Sequence, residues 1–233
     1  MIEFKNLKKS FGRLNALEDI NLKISKKGVF AILGPNGSGK TTLIKCILGM
    51  VIPDQGSILI NEKNIIKKWE YRNDINYLPQ IADFPANLTV SELIEMVKDL
   101  RAKEANESAL IELFGLDPFL DKKLSILSGG TKQKVNLVLA FMFDSSIIIL
   151  DEPSTGLDPL SIIQMKELIE TQKKEGKTIL ITTHIMSLAE EISDEIVFML
   201  EGKKYFQGTI DEIKKKTKEK TLESAIAKIL GGR

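Results

Sequence analysis

Residues 34–41 read Gly34-Pro35-Asn36-Gly37-Ser38-Gly39-Lys40-Thr41, which fits G-x-x-x-x-G-K-[ST] at every fixed position. Polyphosphate chemistry explains that spacing. Glycines let the backbone curl so that successive N–H groups, and the N-terminus of a following helix, face an anion. Lys40 adds a point charge for the β- and γ-phosphates, and the Thr41 hydroxyl is placed to ligate magnesium. A dinucleotide fingerprint fails, because G-x-G-x-x-G counted from Gly37 would need glycine where Thr42 stands. The expected ligand is a nucleoside triphosphate.

A phosphate loop also needs an acidic group at the end of a neighbouring strand to organise the metal. Asp151 stands there, after the apolar run Ile147-Ile148-Ile149-Leu150. Glu152 comes next, free to orient and polarise an attacking water as general base. His184, the only histidine, follows the run Thr178–Thr182 and Thr183. Ligands of α/β proteins bind at the C-terminal ends of parallel strands, so an imidazole there reaches a γ-phosphate or its attacking water. Position alone leaves a structural role for His184 equally open.

These groups need a scaffold that presents several strand ends together. Val29-Phe30-Ala31-Ile32-Leu33 is continuously apolar, as are Ile147–Leu150 and most of Thr178–Thr182, which predicts strands covered on both faces. A helical stretch over Thr41–Met50 follows the glycine loop, and strands separated by helices imply a parallel sheet. Ile2–Leu7 and Ile20–Ile24 alternate apolar with polar residues, as half-buried antiparallel strands do. From about Leu88 to Phe143 the apolar spacing turns helical, with Leu93, Ile94 and Val97 and then Leu110, Leu113 and Phe114, which reads as a helical insert. The end, from Asp211 to Leu230, reads as helix made basic by Lys214, Lys215, Lys216, Lys218 and Lys220, a solvated face in preference to a lipid contact.

Composition narrows the class of protein. The 233 residues carry 33 Lys and Arg against 32 Asp and Glu, a net charge of +1, so a partner must be sought at a local site and not through a global field. Hydrophobic residues at 43% and charged residues at 28% exclude long disorder and a nucleic-acid tail. The longest apolar run, Leu137–Phe143, is far short of the roughly 18 to 20 residues that span a bilayer. The N-terminus lacks the apolar stretch of a secretory signal, which leads us to expect a cytoplasmic chain. A single cysteine excludes an internal disulfide or a cysteine zinc cage, and Cys46 in its apolar run is expected to be a buried, inert thiol.

Taken together, these residues resemble the ATP-binding subunits of ABC transporters, over nearly the whole chain. Leu127-Ser128-Gly129-Gly130-Thr131-Lys132-Gln133-Lys134 is similar to the family signature, with Thr131 in place of the usual glutamine. The resemblance implies an α/β fold: a P-loop NTPase core with a mainly parallel sheet, an N-terminal antiparallel β subdomain and an inserted α-helical signature subdomain. The chain would form one ABC ATPase domain, with residues 1–87 and 144–233 as the nucleotide-binding core and 88–143 as the signature subdomain. It implies ATP and Mg2+ as ligands, with Glu152, His184, Gln80 and Lys40 as catalytic residues and Thr41, Gln80 and Asp151 toward the metal. The nucleotide-binding set would be Phe11, Gly34, Pro35, Asn36, Gly37, Ser38, Gly39, Lys40, Thr41, Thr42, Ser128, Gly129, Gly130 and Asp158. Asp158 closes Ser154-Thr155-Gly156-Leu157-Asp158, which is similar to the family D-loop. Phe11 stands where the family has an adenine-stacking aromatic, the alternative being a core residue of the N-terminal sheet.

Ser128 with the N–H groups of Gly129 and Gly130 opens a helix, a second anion site distinct from the first loop. The family solution is a head-to-tail pair, either a homodimer or one with a paralogous ATPase. In it each ATP lies between the P-loop of one subunit and the signature of the other. The implied function is ATP hydrolysis that powers substrate movement through a separate membrane permease, with the subunit attached to the cytoplasmic face of the plasma membrane. Leu88-Thr89-Val90-Ser91-Glu92-Leu93 and the Thr131-containing signature resemble subunits paired with ABC-2-type permeases, mostly exporters. Ser128–Lys134 together with Ala140–Asp144 also looks like the ATPase of the copper-processing system that matures nitrous-oxide reductase. The alternative is a soluble mechanical ATPase acting on ribosomes or DNA, although no nucleic-acid partner is expected. A small-molecule kinase would leave the Ser-Gly-Gly element unexplained.

Overall fold

In the computed structural model, which describes residues 1–25, 27–81 and 83–231, the elements run in this order. The first half holds β1 (Ile2–Phe11), β2 (Leu14–Ile24), β3 (Gly28–Leu33), α1 (Lys40–Ile47), β4 (Gln55–Ile60), β5 (Lys63–Asn64), β6 (Ile75–Leu78), α2 (Val90–Arg101) and α3 (Glu107–Leu113). The second holds α4 (Gly129–Phe141), β7 (Ile147–Asp151), α5 (Pro159–Lys174), β8 (Thr178–Thr183), α6 (Met186–Ile192), β9 (Glu195–Leu200), β10 (Lys203–Gly208), α7 (Ile210–Thr217) and α8 (Leu222–Gly231). The chain packs as two compact units, Met1–Arg72 with Thr178 onward, and Asn73–Lys177.

The first unit contains an antiparallel sheet in the order β2-β1-β4-β5. The predicted strands at Ile2–Leu7 and Ile20–Ile24 are its core, and both extend to a hairpin closed by Phe11 opposite Leu14. Beside it in the same unit β3 runs parallel to β8 and to β9, and β10 returns antiparallel to β9. Every residue of β3 and of β8 is buried, which is why both read as nearly continuous apolar runs. Cys46 is buried in α1, and burial pushes its thiol up to about 11, so little thiolate forms at neutral pH.

The C-terminal stretch, expected to be helical over Asp211–Leu230, is helical but divided: α7 stops at Lys218 in a left-handed conformation with φ 60°. A new helix, α8, starts where the Thr221 hydroxyl accepts the N–H of Ser224 at 3.1 Å. The physical reason is burial. A straight 20-residue helix would be about 30 Å long, whereas the break folds Ile213 and the α8 residues Leu222, Ala225 and Ile226 onto one core with Ala31, Leu33, Ile196 and Phe198. Lys215, Lys216, Lys218 and Lys220 are left exposed, while Lys214 pairs with Glu190.

The second unit pairs β6 with β7 in parallel, from Ile75 opposite Ile147 to Leu78 opposite Leu150. Its helix α2 opens with a capping box: the Thr89 hydroxyl accepts the Glu92 N–H at 3.2 Å and Glu92 accepts the Thr89 N–H at 2.8 Å. At the other end of α2, Arg101 donates to the Ile75 carbonyl at 2.8 Å and to Asn76 Oδ1 at 3.2 Å, which fixes the helix to β6. Asn76 is itself buried and donates to the Phe143 carbonyl at 2.7 Å, just beyond the end of α4. Such buried amides hold irregular segments to a strand without an apolar contact.

Candidate functional site

In the first unit the glycine loop leaves β3 and enters α1. Gly34 takes φ 156°, and a Cβ there would lie 2.2 Å from the Met199 carbonyl oxygen and 2.6 Å from Ser38 Oγ. Gly39 takes φ 100°, with a Cβ position 2.5 Å from the Ala16 carbonyl oxygen. Both glycines are therefore required by backbone that approaches too closely for any side chain. The loop is further tied down by the Gly202 N–H, which donates to the Ser38 carbonyl at 3.1 Å.

The same loop has the makings of an anion site. Gly39 is the N-cap of α1 and supplies no side-chain acceptor, so the helix opens without a capping side chain. Lys40 is only 6% exposed, and its ammonium donates to the carbonyls of Gly34 at 2.7 Å and Pro35 at 3.2 Å, inside the curl of its own loop. Ser38 Oγ is buried and has no hydrogen-bond partner among the described residues. A buried hydroxyl without a partner is costly and points to a group that completes it. Thr41 and Thr42 are half-buried in the first turn of α1, and Pro35, Asn36 and Gly37 are exposed.

His184 leaves the same strand edge. Leu33 pairs with Thr183 in the parallel register, so Gly34 and His184 are the next residues on two neighbouring strands. Thr183 Oγ1 accepts the Ile185 N–H at 3.0 Å, which turns the chain at His184 and leaves that residue exposed. Phe11, at the end of β1, is 50% exposed and carries the Lys9 ammonium 5.3 Å from its ring centroid. A core role for Phe11 is thereby excluded.

The second unit repeats this arrangement with different chemistry. Leu78 pairs with Leu150, so Pro79-Gln80 and Asp151-Glu152 leave adjacent strands at one edge. Asp151 is 1% and Glu152 3% exposed, and Gln80 is exposed. Glu152 has φ 52°, a conformation that costs a non-glycine residue on the order of 1–3 kcal/mol and persists only where the surroundings over-determine it. Burial, and after it the negative charge of Asp151, pushes the Tyr77 phenol up to about 12.

Ser128 is the N-cap of α4, its Oγ accepting the Thr131 N–H at 3.2 Å and lying 2.9 Å from Thr131 Oγ1. Gly129 and Gly130 are the first two residues of that helix. A Cβ on Gly129 would meet nothing within 4 Å, whereas one on Gly130 would lie 2.8 Å from the Gly156 carbonyl oxygen. Asp158 is engaged as the N-cap of α5, accepting the N–H and the hydroxyl of Ser161, each at 2.9 Å, and it pairs with Lys134 at 2.9 Å. The Ser161 N–H, followed by Lys134, holds its carboxyl well below the usual carboxylate range. Ser154 Oγ, in the turn between Glu152 and Asp158, is buried without a hydrogen-bond partner among the described residues.

Two residues to which motif reading gave no role also belong to this neighbourhood. Gln133 and Asn136 are buried polar side chains on α4 that reach the carbonyls of Pro153 and Pro79. The only sequence signal for them is a pair of amides three apart in a helix that is otherwise largely apolar beyond its first turn.

Comparison with known proteins identifies the family. The sequence profile of the family described as ABC transporter matches residues 17–155. The lantibiotic transport ATP-binding protein SrtF of Streptococcus pyogenes is 35% identical over 207 residues, covering 87% of this chain and 88% of its own length. A solved structure of the ATP-binding subunit of an ABC transporter superposes with a TM-score of 0.91 at 31% identity, over 99% of each chain. A dimeric ATP-binding cassette in a post-hydrolysis state, bound to ADP and Pi, matches with a TM-score of 0.81 at 25% identity, over 90% of this chain and 98% of that one. Profile, relative and structures span the glycine loop, the Asp151-Glu152 strand end and the helices between them, and this chain belongs to the ABC transporter family as an ATP-binding and ATP-hydrolysing subunit.

Proposed function

We propose that this subunit docks on a separate ABC-2-type permease at the cytoplasmic face of the plasma membrane and powers substrate movement through it. The observation that carries the nucleotide chemistry is the start of α1: a helix opened by Gly39 without a capping side chain, beside the loop-held Lys40 ammonium and the partnerless Ser38 hydroxyl. In this reading the N–H groups of Gly34–Thr42 and Lys40 hold the β- and γ-phosphates, and Phe11 stacks on adenine. Glu152 orients and polarises the attacking water, and His184 hydrogen-bonds the γ-phosphate or that water.

The described residues hold no group of three or more His, Cys, Asp or Glu suited to a metal. That fits Mg2+, which keeps several waters and binds through one or two protein oxygens plus substrate phosphates. Thr41, Gln80 and Asp151 would supply hard oxygen donors for it, and the ion would neutralise charge that develops on the phosphates.

Ser128, Gly129 and Gly130 of one subunit would close over the nucleotide of another, with the Asp158 turn beside them, in a head-to-tail homodimer or a pair with a paralogous ATPase. ATP held by both partners makes the closed dimer tight and its products weak, which converts hydrolysis into opening and closing. Residues 88–143 would act as the signature subdomain against a core of 1–87 and 144–233. No helix among the described residues is long and apolar enough to cross a membrane. Solute passage therefore belongs to the permease in this reading. The likeness to a lantibiotic transport subunit supports a transporter role, and the likeness of Ser128–Lys134 and Ala140–Asp144 to the copper-processing ATPase is a narrower candidate within the same group.

The test is a pull-down of tagged Glu152→Gln protein with ATP from detergent-solubilised native cells, with co-purifying chains identified by mass. A polytopic membrane protein is the expected result. Recovery of ribosomal or DNA-repair proteins in its place would transfer the ATPase to a soluble mechanical role.

A further inference from the structure

The two strand-end segments of the second unit are bridged by side chains. Gln133 Nε2 donates to the Pro153 carbonyl at 2.9 Å, and Asn136 Nδ2 donates to the Pro79 carbonyl at 3.0 Å. Asn136 Nδ2 also reaches Gln133 Oε1 at 3.4 Å, which closes the chain from one loop to the other. Gln133 is 7% and Asn136 2% exposed, so water does not compete for these bonds. Both acceptors sit next to a chemically important residue: Pro153 directly follows Glu152, and Pro79 directly precedes Gln80. A proline has its φ fixed, so a carbonyl held there limits how its neighbour can turn. Glu152 in particular sits at φ 52°, a conformation that needs outside support.

We propose that Gln133 and Asn136 are positioning residues for ATP hydrolysis, a buried amide pair that fixes Glu152 and Gln80 relative to one another through the backbone of Pro153 and Pro79. The pair lies one to two turns into the helix that Ser128 opens, so movement of the signature end of α4 is passed to both loops by the same two side chains. Binding of ATP by the glycine loop does not involve them. Their loss therefore lowers the rate of the chemical step and leaves nucleotide affinity alone. The inference rests on the catalytic reading of Glu152 given above.

Three variants test it: Gln133→Met, Asn136→Leu and the double replacement, each close to the native outline but without the hydrogen bonds. Steady-state ATPase assays are run on the full chain, with Glu152→Gln in parallel and thermal unfolding as the control for folding. Misplacing a reacting group by about an ångström costs up to about a hundredfold, so each single variant is expected to lower kcat about ten- to a hundredfold with KM for ATP changed less than about twofold. The double variant should lose little more than the worse single, because the two amides act as one unit. Should Gln133→Met not fold, Asn136→Ala removes the donor without adding bulk and carries the same expectation. A kcat within about twofold of wild type in a folded variant, or a KM that rises as far as kcat falls, overturns the proposal. Normal turnover by Glu152→Gln would instead remove the catalytic reading itself. An inactive Glu152→Gln beside a fully active Gln133→Met would sink the positioning role alone.

Discussion

The glycine loop of the first unit and the strand-end loops of the second solve one problem, holding polar groups at the ends of parallel strands, in two ways. Around Gly34 and Gly39 the backbone itself is the device: positive φ angles and contacts with the carbonyls of Met199 and Ala16 leave no room for a side chain. Around Glu152 the backbone is equally unusual, but a non-glycine residue occupies it, and long-range side chains such as Gln133 and Lys134 hold the neighbouring turn. The helix starts differ in the same sense. Helix α1 begins at Gly39 with no side-chain cap, whereas α4 begins under the Ser128 hydroxyl. A loop built from backbone alone is left open to bind an anion; one built from side chains can be moved by whatever moves those side chains.

The sharpest way to separate the two regions is to damage each in its own currency of backbone or side chain. Glu152→Gln removes one side-chain function, and a general base is worth about 10²–10⁴ in rate, so turnover should fall at least about a hundredfold. ATP affinity by calorimetry should stay near wild type in that variant. Gly39→Ala should do the reverse. With φ 100° and a Cβ position 2.5 Å from the Ala16 carbonyl, it should cost about 1–3 kcal/mol of stability and weaken ATP binding at least about tenfold. Retained tight binding in Gly39→Ala would break the comparison.

These contrasts also explain what the sequence made legible. The strands β3, β7 and β8 stood out because strands covered on both faces read as nearly continuous apolar runs, and the glycine loop because its backbone tolerates only glycine at fixed spacing. The break between α7 and α8 stayed hidden, since its left-handed residue is Lys218 and not a glycine or asparagine. Gln133 and Asn136 stayed hidden for a different reason. Their acceptors lie 20 and 57 residues away, so the pair of amides three apart gives no sign of what it holds. The φ of Glu152 likewise depends on tertiary surroundings that a motif does not encode, whereas the capping by Asp158 is local, to Ser161 three residues on with Pro159 opening the helix.

Smaller replacements refine the second region. Ser128→Ala removes the N-cap of α4 and should cost about 1 kcal/mol, a fall of about 2–4 °C in Tm for a chain of this size. Gly129→Ala is the finest probe. Nothing lies within 4 Å of its Cβ position, so helix propensity should raise stability by up to about 1 kcal/mol. ATPase activity should nevertheless drop if the proposed head-to-tail pair forms, because the added methyl would then stand in the path of the partner's nucleotide. A Gly129→Ala protein that is both more stable and fully active would remove α4 from the nucleotide site.

The account as a whole turns on ATP being shared between two copies or paralogues of this module. Light scattering of Glu152→Gln protein at saturating Mg-ATP measures that directly. A mass of twice the 26.0 kDa chain, returning to the monomer when nucleotide is withdrawn, is the predicted result. A monomer at every ATP concentration, with binding confirmed by calorimetry on the same sample, would contradict the homodimer and leave only a paralogous partner to complete the site.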